Sequence, residues 1–132
     1  MDATASLTNY RQSPRKVRLV ADLMRGKSVP QALAVLSMLP KRASLPLEKL
    51  LRSAIANAHA GKTGEGFVIS KIEVNKGTVL KRFMPRARGS AAPIRKKSSH
   101  VYLTITQSGK ASGKVKKVRT EKPALAAKEV AA

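Results

Sequence analysis

The chain has 132 residues, of which 27 are Lys or Arg and only 7 are Asp or Glu, so its formal net charge is +20. Self-repulsion at this charge disfavours a compact isolated chain, so a polyanionic partner is expected, with nucleic acid the first choice. The absence of cysteine excludes a disulfide framework and a Cys-ligated metal. No apolar run reaches the roughly 18 residues of a membrane helix, and no secretory signal pattern opens the chain.

Three helices are predicted first in chain order. Ser13 as N-cap, Pro14 at the first helical position and Gly26 just past the end predict a helix over residues 14–25. Helical spacing gives this helix an apolar face and a basic face. The apolar face consists of Val17, Val20, Ala21 and Met24, and the opposite face of Arg15, Arg18, Asp22 and Arg25, with Lys16 and Lys27 beside it.

The second and third helices follow closely. Ser28 with Gln31 three residues later reads as a capping box, and that helix should end before Pro40. An apolar stripe from about residue 43 to residue 60 predicts the third helix. Pro46 is compatible with it only in the first turn.

Alternating patterns then predict strands. Val68, Ser70, Ile72 and Val74 are expected on one side of a strand, with Ile69, Lys71, Glu73 and Asn75 on the other. Its expected partner spans residues 100–106, where Val101, Leu103 and Ile105 alternate with polar positions. A further strand over residues 5–11 is possible, with Leu7 as its inward residue.

Residues 76–99, between the two paired strands, predict a β-ribbon that protrudes on the order of 30 to 40 Å. Pro85, Gly89 and Pro93 place its irregular tip near residues 85–93. Such a ribbon is marginal in water and should become ordered on its partner. Residues 1–106 are expected to form one domain, and residues 107–132 a basic, Ala-rich disordered tail.

The cations of the first helix and the ribbon are predicted to contact phosphates. The ribbon has no other evident means of being ordered, because no Asp or Glu occurs between Val74 and Thr120. Phe83 and Met84 could be wedges between bases or simple apolar contacts. The predicted RNA-binding set is Arg15, Lys16, Arg18, Arg25, Lys76, Lys81, Arg82, Arg86, Arg88, Arg95, Lys96 and Lys97.

The sequence supports a catalytic function less well than nucleic-acid binding. Gly61-Lys62-Thr63 matches the end of a phosphate-binding loop, but Ala56 occupies the leading Gly position and a helix precedes the segment. His59 and His100 have no second ligand at metal spacing. We therefore expect no enzyme activity, no catalytic residue, no metal and no cofactor. A DNA-bending homodimer with basic β-arms remains the rival binding hypothesis.

Four segments closely resemble the bacterial form of the large-subunit ribosomal protein twenty-two family: residues 13–27, 53–58, 80–89 and 94–105. The resemblance covers roughly residues 5–106. It implies an α+β fold with three helices packed on a small antiparallel sheet and a long protruding β-hairpin. It also implies a cytoplasmic, ribosomal location, a role in subunit assembly, and neither membrane association nor homo-oligomerisation.

The same resemblance implies that the hairpin threads through large-subunit rRNA to the wall of the nascent-peptide exit tunnel. The expected partners are that rRNA, neighbouring large-subunit proteins and the nascent polypeptide. Asn75, Lys76 and Ser90 depart from residues frequent in the family. The implied tunnel-lining tip consists of Met84, Pro85, Arg86, Ala87, Arg88, Gly89, Ser90, Ala91, Ala92 and Pro93.

Overall fold

The computed structural model describes residues 2–58 and 64–107, which form three helices on one three-stranded antiparallel sheet. The α+β prediction is confirmed. The strand order is β1-β3-β2, so β3 is central. In chain order the elements are β1 (Asp2–Tyr10), α1 (Pro14–Met24), α2 (Val29–Met38), α3 (Ser44–Asn57), β2 (Phe67–Pro85), a 3₁₀ turn (Ala87–Gly89) and β3 (Ala91–Gln107).

The core lies between the helices and one face of the sheet. Along β3, Val101, Leu103 and Ile105 are buried at every second position, because alternate side chains of a strand point to opposite faces. The predicted apolar face of α1 is buried as expected and consists of Val17, Val20, Ala21 and Met24. Burial of these apolar side chains is the main favourable term in the stability of the body.

The predicted helix starts are confirmed, but the capping hydrogen bonds are not formed. Ser13 and Ser28 occupy the N-cap positions in extended backbone, yet neither side chain makes a cap hydrogen bond. The proposed capping box is therefore absent, and Gln31 is exposed. Pro46 falls in the first turn of α3, as required, and that helix ends at Asn57, short of the predicted end at residue 60.

The predicted alternation of β2 is wrong over its first half. Ile69 and Ile72 are both buried, whereas the sequence pattern placed them on opposite faces. A register shift between Ile69 and Lys71 leaves Ser70 as an extra residue against β3, and a bulge of this kind reverses which face later residues occupy. β1 is also longer at its start than predicted, and Ala3 is its buried residue while Leu7 is only half-buried.

The ribbon is a regular ladder almost to its end. β1 pairs with β3 only as far as Ser99, so beyond that level β2 and β3 form a two-stranded arm. Pro85 pairs with Ala91 and Pro93 with Phe83. The irregular tip is thus residues 86–90, shorter than predicted, because alternate N–H groups of a two-stranded ribbon face outward and Pro can occupy such positions.

Several predictions concern residues outside the described ranges. These are the readings of His59 and of Gly61-Lys62-Thr63, and the tail beyond Gln107. None of the helices in the described ranges has the length and apolar character that a membrane crossing requires.

Candidate nucleic-acid interface

The basic face of α1 lies along the exposed edge of β2 and holds it. Nε and Nη2 of Arg18 both donate to the carbonyl oxygen of Val74, at 3.1 and 2.9 Å. Nη2 of Arg25 donates to the carbonyl oxygen of Ile72 at 3.4 Å, and its Nη1 lies 3.2 Å from Oδ1 of Asp22. Carbonyl groups at a sheet edge need partners, so these cations also have a structural role that helical spacing alone did not reveal.

Two clefts meet at the root of the arm. The α1-side cleft, of about 670 Å³, is lined by cations of α1 and of the arm, namely Arg15, Arg18, Lys76, Lys81, Arg95 and Lys97. The β1-side cleft, of about 890 Å³, is lined by Arg11, Lys16, Arg42, Arg95, Lys96 and Lys97 together with polar residues such as Asn9 and Ser98. No acidic residue of the described ranges lines either cleft.

The structure therefore brings most of the predicted set together. Lys16 joins the arm cations in the β1-side cleft, while Arg15 and Arg18 join them in the α1-side cleft. Arg25 lies apart, nearer the C-terminal end of α1. Arg11 and Arg42 were missed, because they belong to no periodic pattern and reach the cleft only through the fold.

Tyr10 contacts the backbone of Arg42, beside the β1-side cleft, without adding charge. Its hydroxyl donates to the carbonyl oxygen of Arg42 at 3.2 Å. Desolvation raises the pKa of this hydroxyl, and the positive charge of Arg42 opposes that rise in part. The phenol stays protonated at neutral pH, so Tyr10 places no negative charge beside the cations.

Bulges in the two strands beside β3 set the direction of the arm at its root, and we call this point the elbow. The register shifts between Lys76 and Val79 in β2, and between Leu7 and Tyr10 in β1, on the two sides of the same residue of β3, Ser99. Gly77 fills this bulge: a Cβ there would lie 2.5 Å from Oγ of Ser98. Glycine at a bulge permits such a close approach.

Two side chains of β3 also contact the backbone of its two neighbouring strands at the elbow. Oγ of Ser98 donates to the carbonyl oxygen of Thr78 at 2.7 Å. The backbone N–H of Asn9 donates to Nδ1 of His100 at 3.1 Å. His100 is thus a structural hydrogen-bond acceptor in this region.

Like charges face each other across the arm. Lys81 pairs with Arg95, and both side chains are exposed. Directly opposed like charges destabilise a ladder, and no Asp or Glu lies between Val74 and Gln107 to offset them. The arrangement therefore suits a bound anion that neutralises both side chains.

The tip is a compact turn with its own hydrogen bonds. The N–H of Arg86 donates to the carbonyl oxygen of Ser90 at 2.8 Å, and Oγ of Ser90 donates to that of Ala87 at 2.9 Å. Arg88 adopts a left-handed conformation, with φ of 58°, and Gly89 follows with φ of 70°. The guanidinium groups of Arg86 and Arg88 are thereby carried at the extreme end of the arm, on exposed residues.

The described residues offer no metal-binding cluster at this surface. Across residues 2–58 and 64–107 there is no cluster of three or more His, Cys, Asp or Glu side chains that could hold a metal ion. What the site presents is cations, backbone amides and a few apolar side chains, which together can bind a polyanion.

Comparison with known proteins identifies the family of this chain. Residues 5–106 match the family model described as ribosomal protein L22p/L17e. A protein of Lactobacillus delbrueckii subsp. bulgaricus named large ribosomal subunit protein uL22 is 50% identical over 107 residues, covering 80% of this chain and 92% of that protein. Its namesake in Pediococcus pentosaceus is 49% identical over 107 residues, covering 80% of this chain and 91% of that protein. The chain therefore belongs to the ribosomal protein L22p/L17e family.

Proposed function

We propose that this chain is a structural, non-enzymatic constituent of the large ribosomal subunit and binds its rRNA through the root clefts and the arm. The observation that carries the proposal is the pair of acid-free cationic clefts at the root of an arm whose own cations oppose each other. Such a surface gains affinity by neutralising phosphates and releasing counterions. The family match and the relatives named as large-subunit proteins support the same assignment.

In this proposal the arm reaches through rRNA to the peptide exit tunnel. β2 and β3 extend about ten residues past the body, which is on the order of 33 Å of ribbon. The tip and the ladder positions beside it, residues 84–93, would line the tunnel and meet the nascent polypeptide, while the body contacts rRNA and neighbouring large-subunit proteins near the tunnel exit. Residues 1–106 would act as one unit, in the cytoplasm and without forming a homo-oligomer.

The body supports a monomer over the DNA-bending homodimer. Its apolar core is assembled from the three helices and the sheet of one chain. The histone-like reading instead needs a core shared between two chains. It predicts a dimer by light scattering and bending of duplex DNA, neither of which we expect.

The test is incorporation followed by site-specific crosslinking. A tagged chain should cosediment with large subunits and leave them only at high salt, because phosphate contacts weaken steeply with ionic strength. A photoreactive residue at Ala91 should crosslink to rRNA or to nascent peptide, whereas one at Met38, an exposed residue on α2, serves as the control. Cosedimentation with small subunits alone, or a tip residue that crosslinks to nothing in assembled ribosomes, would contradict the proposal.

A further inference from the structure

The two faces of the arm differ in chemistry. No register shift occurs between Val79 and Pro85, so side chains alternate regularly there. The inner face continues the buried side of β3, and its cross-strand pairs are Val79 with Lys97, Lys81 with Arg95, and Phe83 with Pro93. The outer face continues the exposed side, and its pairs are Leu80 with Lys96, Arg82 with Ile94, and Met84 with Ala92.

An apolar zigzag crosses the outer face. Ile94 lies diagonally across from both Leu80 and Met84, at the roughly 7 to 8 Å spacing at which long side chains still touch. The exposed fractions of Leu80, Ile94 and Met84 are 43%, 38% and 46%. The inner face near the root carries Lys81, Arg95 and Lys97, which line the α1-side cleft. On the outer face, Leu80 and Lys96 line the β1-side cleft, so the zigzag begins at that cleft. The inner face becomes apolar only towards the tip, at Phe83 and Pro93.

We propose that the outer face holds unpaired nucleobases of the rRNA, while the inner face near the root holds phosphates. This inference rests on the proposed function and divides its site into two kinds of contact. Base faces are apolar and flat, and they pack on aliphatic side chains and on Arg guanidinium planes. Arg82 and Lys96 flank the zigzag, so stacking and attraction to the same strand's phosphates occur together.

Charge argues for RNA over a protein on this face. An apolar protein surface laid on the zigzag would bury Arg82 and Lys96 with no counter-ion, because the arm supplies no carboxylate of its own. Burying an unpaired charge is costly. An RNA strand covers the apolar side chains with its bases and neutralises the two cations with its phosphates.

Salt dependence of binding separates the two kinds of contact. The full chain would be titrated with purified large-subunit rRNA at several salt concentrations, comparing Leu80→Ser/Ile94→Ser with Lys81→Gln/Lys97→Gln. The outer-face variant should lose roughly tenfold in affinity at every salt concentration, with an unchanged slope of log affinity against log salt. The inner-face variant should lower the magnitude of that slope by about 0.7 to 0.9 for each cation removed.

Base reactivity gives an independent readout. Bases that wild-type chain protects from dimethyl sulfate should become reactive with the outer-face variant and stay protected with the inner-face one. Met38→Ser, which removes an exposed apolar side chain of α2, is the matched control and should change neither affinity nor footprint. Circular dichroism would confirm that each variant is folded, as expected for exposed positions.

Each other outcome has a defined meaning. If the outer-face variant binds rRNA like wild type but loses a protein crosslink, the face contacts protein and the inference is wrong. If that variant lowers the salt slope, the substituted apolar side chains support phosphate contacts instead of base contacts, and the inference is wrong. If wild-type chain does not bind rRNA at all, the proposed function fails and the inference fails with it.

Discussion

The strand β3 runs through two regions of the molecule, the body and the arm, whose side chains on the same face differ in burial and charge. In the body, alternate residues Val101, Leu103 and Ile105 are fully buried against the helices. On the same side of the same strand beyond Ser99, the arm carries exposed Lys97 and Arg95. The body is stabilised by its own apolar contacts, whereas the arm carries cations and no carboxylate that could neutralise them. The comparison teaches that stability and binding are segregated along a single strand, so substitutions should separate them.

The largest expected effect contrasts matched leucines in the two regions. Leu103→Ala removes a buried side chain and should lower the free energy of unfolding by about 2 to 5 kcal/mol. Leu80→Ala, on the half-exposed arm, should lower it by less than about 1 kcal/mol. Urea denaturation followed by circular dichroism measures both. Equal losses would mean that the arm shares the core's stability.

The elbow between the two regions should be the next most sensitive point. Gly77→Ala places a Cβ 2.5 Å from Oγ of Ser98 and 2.9 Å from Nε2 of His100. We expect a loss of about 1 to 3 kcal/mol from this overpacking, together with weaker rRNA binding as the arm changes direction. Thr78→Ala, at the adjacent exposed residue, is the stability control. Wild-type stability in Gly77→Ala would show that the elbow is pliable.

Two arginines of α1 should separate structural from binding roles. Arg18→Gln loses the forked hydrogen bond to the carbonyl oxygen of Val74 and should cost about 1 kcal/mol of stability. Arg15→Gln has no such bond to lose and should leave stability unchanged. Both variants should reduce the salt slope of rRNA binding to the same extent. Identical thermal unfolding of the two would remove the structural role of Arg18.

The smallest expected effect has opposite signs in the free and bound chain. Lys81→Glu turns the like-charged pair with Arg95 into an opposite-charged one and should stabilise the free ribbon by about 0.5 kcal/mol. The same change should weaken rRNA binding, because it removes a cation and adds an anion. Amide exchange along the arm and affinity for rRNA measure the two effects. Lys81→Gln should fall between wild type and Lys81→Glu in both, and any other order contradicts the prediction.

The sequence predicts the elements well where local chemistry decides them. Ser13, Pro14 and Gly26 bracket α1 because capping positions and the conformational preferences of Pro and Gly act over a few residues. The paired strands and the protruding ribbon followed from alternation and charge. The cations of the arm could be identified because a stretch without carboxylates is visible in the sequence itself.

Features that depend on the third dimension were not predicted. No residue type marks the bulge at Ser70, so the buried face of the first half of β2 was predicted wrongly. The forked bond from Arg18 depends on α1 lying along the β2 edge. Pro93 sits inside the ladder because its missing N–H faces away from the partner strand, which depends on register. The role of Gly77 was not predicted, because it arises from the close approach of Ser98 and His100 in the fold.

The unbroken course of β3 has a mechanical consequence. Both neighbouring strands bulge next to Ser99, one on each side of it along β3, whereas β3 itself passes through without interruption. Ladder hydrogen bonds run perpendicular to the strands, so a pull on the tip along β3 loads the bonds between β3 and β1 in the body together in shear. A sideways push instead bends the ribbon where the bulges lie. The arm is therefore stiff in tension and compliant at one defined joint.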